Sequence, residues 1–122
     1  MWFRSVGVAG EAGTWVDEDI SAAFSLLGLD FDFVVTADDN EQVSKLARRY
    51  CYNNKYHDRV KKVEWQIVEA LNESGGVLMY FGKKLNNIHL EAAISTGIPV
   101  YIFPPGFREN LEKSWRNSEL MF

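Results

Sequence analysis

Residues 75–103 read GGVLMYFGKKLNNIHLEAAISTGIPVYIF, and the succession of residue types in this stretch decides the fold. Val77 to Phe81 is a nearly unbroken apolar run of strand length, the composition of a strand covered on both faces. A polar loop, Gly82 to Asn87, leads into a short helix from His89 to Thr96 that Gly97 closes. Ile98 to Phe103 is β-favouring again and stops at the Pro104-Pro105-Gly106 breaker. A strand, a helix and a second strand in direct succession make a β-α-β unit, whose strands run parallel.

The same alternation extends upstream. Val60, Val63, Ile67, Val68 and Leu71 share one side of a helical pattern, which predicts a helix from Val60 to Leu71 ahead of the "ESGG" turn, Glu73 to Gly76. Val43, Leu46, Ala47 and Tyr50 form the stripe of an earlier helix, with Asp38, Asp39 and Asn40 as its predicted N-caps and polar "NNKYHD" at its end. Phe31 to Thr36 reads as a strand, and Asp17 to Leu27 as a helix stopped by Gly28. Trp2 to Ala9 is the opening strand and runs into "GEAGTWVDED", Gly10 to Asp19. Downstream, residues 104–122 carry a weak helical stripe through Leu111 and Trp115. The order β-α-β-α-α-β-α-β-α predicts an α/β fold: one Rossmann-like three-layer domain over residues 1–122, with a mainly parallel sheet of about four strands and a helical tail at 104–122.

Composition narrows the function. The 122 residues carry a formal net charge of −4 and a pI near 5.1, with Lys and Arg mixed among acids along the chain. A nucleic-acid binder concentrates basic residues in a stripe, so no nucleic-acid partner is expected. Cys51 is the only cysteine and falls at an apolar helical position, which excludes an intrachain disulfide and fits a reducing, cytoplasmic setting. No run approaches the ~18 apolar residues of a membrane span, so no membrane partner is expected. His57 and His89 lack the spacing of a metal site, and no metal is predicted. The G-x-G-x-x-G, P-loop, G-x-S-x-G and H-E-x-x-H patterns are absent, and no cofactor is predicted.

In an open parallel sheet, ligands lie beyond the carboxyl ends of the strands, where strand order reverses. With the first strand central, that crevice is walled by Gly10, Glu11, Ala12, Gly13, Thr14 and Trp15 and by Gly82, Lys83, Lys84, Asn86 and Asn87, with Asp38 nearby. Loops that precede helices present free backbone N–H groups, which suits an anion. Lys83 and Lys84 would add point charges for phosphate. Trp15, Tyr80 and Phe81 are the candidate rings to pack on a base. Glu91, one helical turn after Asn87, is the candidate nucleophile or base if the chain is an enzyme, with a surface acid as the plainer alternative. In the last helix of the unit, Leu90, Ala93, Ile94 and Gly97 form one apolar stripe, and Ile88, Ala92, Ser95 and Thr96 opposite are small or apolar. One side is expected to meet the sheet and the other a second copy of the chain, which predicts a homo-oligomer, a dimer in the simplest case.

"VGVAGEAGTWVD", Val6 to Asp17, resembles the opening strand and glycine turn of the YspA-like branch of the SLOG superfamily, including an aromatic residue just before the first helix. "VVTADDNEQVSKLARRYC", Val34 to Cys51, falls at that family's second strand, loop and Leu-Ala helix; Gly75 to Phe103 resembles its third strand, loop, helix and final strand. The resemblance spans residues 4 to 103. Family members that cleave N-glycosidic bonds of nucleotides use glycine-rich second and third loops; here the second is Ala37-Asp38-Asp39-Asn40 and the third keeps only Gly82. The resemblance therefore implies binding or sequestering of a nucleotide-derived small molecule, ADP-ribose-like or a cyclic nucleotide signal, as a viral anti-defence protein would do. The last segment is also similar to nucleoside deoxyribosyltransferases, which implies N-glycosidic chemistry with Glu91 as nucleophile. A structural or interaction protein is the third alternative.

Overall fold

The strands β1 (Ser5–Gly10), β2 (Phe33–Ala37), β3 (Val60–Val63), β4 (Val77–Phe81) and β5 (Val100–Phe103) alternate with the helices α1 (Asp17–Leu27), α2 (Gln42–Asn53), α3 (Ile67–Ser74) and α4 (Ile88–Thr96). The computed structural model describes residues 4–28, 31–37, 41–55, 59–63 and 66–109. All five strands lie in one sheet, in the order β3-β2-β1-β4-β5, and every pairing is parallel. β1 is central because it has β2 on one side and β4 on the other: Val6 stands opposite Val34 and Val77.

The alternation of side chains along each strand divides the core in two. Val6, Val8, Val34, Met79 and Phe81 turn towards α1 and α2, where Ile20, Phe24, Val43 and Cys51 meet them. Ala9, Val35, Leu78 and Tyr80 turn towards α3 and α4, against Ile67, Leu71, Leu90 and Ala93. The first two helices thus cover one face while the chain steps from β1 outwards to β3. The crossover through α3 then returns it to β4, and the last two helices cover the other face. This is the three-layer, doubly wound arrangement that right-handed crossovers produce. Gly28 and Gly97 end α1 and α4 in the left-handed conformation (φ 54° and 84°), as expected of them.

Among the described residues the sheet has five strands rather than the expected four or so, because Val60–Val63 is a strand and not the start of a helix. It sits at the sheet edge, so only Val60 packs on one face and only Val63 on the other, with Lys61 and Lys62 exposed between them. Two valines three residues apart mimic a helical stripe, and the lysines protect an edge strand from pairing with other chains. The N-cap of α2 is Glu41, one residue beyond the three predicted caps. The stripe of α4 is narrower than predicted: Leu90 and Ala93 are fully buried, but Ile94 is 63% exposed. Of the tail, Phe107 packs on Phe103, with ring centroids 5.0 Å apart; residues 110–122 lie outside the described residues.

Candidate functional site

The site begins with two glycines that let the ends of β1 and β4 approach closely. A Cβ on Gly10 would stand 2.7 Å from the carbonyl oxygen of Phe81 and 2.7 Å from Cγ2 of Val43. Its absence lets the Glu11 N–H donate to the Phe81 carbonyl at 2.9 Å, so the first loop starts pinned to the end of β4. The loop is held further on: Trp15 Nε1 donates to the Glu11 carbonyl at 3.0 Å, and Gln42 Nε2 at the start of α2 donates to the Trp15 carbonyl at 2.8 Å. Trp15 is 5% exposed and meets Phe81 edge-on at 5.5 Å.

The loop after β4 is built around the same glutamate. The Glu11 carboxylate takes the Lys83 N–H on Oε1 at 2.9 Å and the Lys84 N–H on Oε2 at 3.0 Å. Tyr80 Oη donates to the Lys84 carbonyl and fixes that peptide. A Cβ on Gly82 would fall 2.8 Å from both Cγ and Cδ of Glu11, so glycine there makes room for the carboxylate. The two backbone N–H bonds hold the Glu11 carboxyl below its ordinary value of 4.5, helped by the lysine charges. Burial pushes the Tyr80 hydroxyl up, and the negative charges of Glu11 and Glu41 add to the effect.

Beside Glu11 lies a hollow of about 240 Å³, lined by Glu11, Ala12, Gly13, Thr14, Trp15, Asp19, Pro105 and Gly106. Asp19 closes one side. Its Oδ2 accepts the Val16 N–H at 3.0 Å, at the start of α1, and its Oδ1 accepts Arg108 Nε at 2.7 Å. That ion pair ties the turn after β5 to α1, and the hollow therefore lies between the loops that follow β1 and β5, with the β4 loop joined to it through Glu11.

The structure brings Glu11, Ala12, Gly13, Thr14 and Trp15 together at the hollow, with Gly10 and Gly82 beneath them and the Lys83 and Lys84 amides at Glu11. It leaves others apart. Asn86 is exposed, and the Asn87 side chain caps α4 by accepting from His89 N at 2.9 Å and Leu90 N at 3.3 Å. Glu91 is exposed on α4 and is not among the residues lining the hollow. Tyr80 and Phe81 are fully buried, so their rings belong to the core and not to a base-stacking surface. Asp38 lies outside the described residues. Asp19, Gln42, Pro105 and Gly106 are part of the site without having been singled out in the sequence. The topology rule that selected the other loops also places the turn after β5 at this sheet edge, but Pro104-Pro105-Gly106 reads as a breaker alone. No helix among the described residues is long and apolar enough to cross a membrane.

No family model, curated protein or solved structure matches this chain.

Proposed function

We propose that the chain binds a small nucleotide-derived molecule across the strand ends and holds it without turnover, as the resemblance to the SLOG superfamily implies. The observation that carries this reading is the meeting of the β1 and β4 loops over the Glu11 carboxylate, at the point where strand order reverses. Two consecutive N–H groups aimed at a pair of carboxylate oxygens are a seat for an oxyanion, and phosphate is the oxyanion that nucleotides bring. The hollow of about 240 Å³ is smaller than the roughly 300–1,000 Å³ of pockets that enclose a drug-sized ligand. It therefore receives one end of such a molecule, and the rest lies along the strand ends. Carboxylates at its wall, Glu11 and Asp19, are acceptors for sugar hydroxyls. Binding rather than catalysis is favoured because Glu91, the candidate nucleophile, stands exposed on α4.

A panel of nucleotides, cyclic nucleotides and ADP-ribose, followed by thermal shift and then by mass spectrometry of heat-released material, tests the reading. One intact compound recovered with a raised melting temperature supports it. Free base or transferred sugar assigns an enzyme instead, and a panel without any shift removes the reading.

A further inference from the structure

We propose that Glu11 is a resident occupant of the oxyanion seat formed by the Lys83 and Lys84 amides, and that an anionic ligand enters by exchanging with its carboxylate. The proposal rests on the reading above and adds how the site is gated. Three observations carry it. The carboxylate engages both amides, one oxygen on each, at 2.9 and 3.0 Å, as two oxygens of a phosphate monoester would. The loop is shaped to this occupant: Gly82 leaves the space that the Glu11 side chain fills, and Tyr80 holds the carbonyl of Lys84, the residue whose N–H meets Oε2. Glu11 also lines the hollow, so its side chain has somewhere to turn when the amides are taken by another anion.

The physics of the exchange is that of a tethered competitor. A group on the same chain competes at an effective concentration of roughly millimolar or more. If the carboxylate holds the seat about nine-tenths of the time, a ligand that needs the seat binds about ten-fold more weakly than to an open one. A phosphate monoester displaces it because it brings more charge to the same two donors and to the exposed Lys83 and Lys84 side chains, which already favour the carboxylate. Glutamate with its low pKa stays ionised across the physiological range, so the gate responds to ligand concentration.

Titration of the ¹⁵N-labelled protein with inorganic phosphate, in the parent, Glu11→Ala and Glu11→Gln, tests the proposal. Glu11→Ala opens the seat. Glu11→Gln keeps the side chain's length while removing its charge and one of its two acceptors, and it serves if the alanine variant folds poorly. In either variant the Lys83 and Lys84 amide resonances should move with phosphate at about a ten-fold lower concentration than in the parent. Equal response in parent and variants, or no movement of these two amides in the variants, overturns the exchange. Repeating the nucleotide panel on the same proteins separates the two claims. Nucleotides bound equally by all three leave the binding reading standing and end the exchange. Phosphate seated only in the variants, with no nucleotide bound by any, does the reverse.

Discussion

Cys51 lies on the buried face of α2. Its position on an apolar stripe predicts a buried thiol, and in the structure it has no exposed surface, with burial pushing its thiol up to about 11. At pH 8 that leaves about one molecule in a thousand as thiolate, so the native protein should resist a thiol reagent that reacts at once after denaturation. Rapid labelling of the folded protein at pH 8 would contradict the placement. Between the ordinary thiol value of 9.0 and about 11, the unfolded chain loses a proton that the native chain keeps, so this group lowers stability as pH rises through that window. Gly10, Glu11 and Gly82 were less legible. Their membership of the site follows from topology, but Gly10 makes way for Phe81 and Val43, and Gly82 for Glu11. The sequence names a glycine without naming the neighbour it admits. Nor does it show that Glu11 takes the amides of Lys83 and Lys84, which lie far along the chain.

At the level of elements, legibility followed burial. β4 is covered on both faces, and its unbroken apolar run was unambiguous. β3 is an edge strand with one valine per face, and no alternation survives to mark it. The glycine stops of α1, α3 and α4 are legible because Gly28, Gly75 and Gly97 take the left-handed conformation that favours glycine, whereas α2 ends at Asn54 without one and Lys55 takes the positive φ there. The starts were mixed: Asp38, Asp39 and Asn40 all read as caps of α2, whereas Glu41 holds that position. Asn87 at the start of α4 has a measurable role, since its side chain accepts two of the free N–H groups there. Replacing it with alanine should lower the unfolding free energy by about 1 kcal/mol in urea denaturation, and aspartate, which keeps the acceptor, should restore most of that. An alanine variant as stable as the parent would show that the cap is not used in solution.

For the whole molecule, the strand order is what gives the chain a site. A central first strand with β2 and β4 beside it places the loops after β1, β4 and β5 at one sheet edge, and Glu11 and the Asp19–Arg108 pair tie them into one surface. The α/β class and the parallel sheet were legible in the β-α-β alternation. The contribution of the β5 turn was not, because Pro105 and Gly106 carry no chemistry of their own. A map of backbone amide shifts in the ¹⁵N-labelled protein on addition of ADP-ribose at millimolar concentration locates the ligand on this surface or away from it. Changes should be confined to residues 10–15, 82–84 and 106–108, the three loops together. Changes confined to the opposite end of the sheet, around Gly28 and Gly75, would contradict that placement.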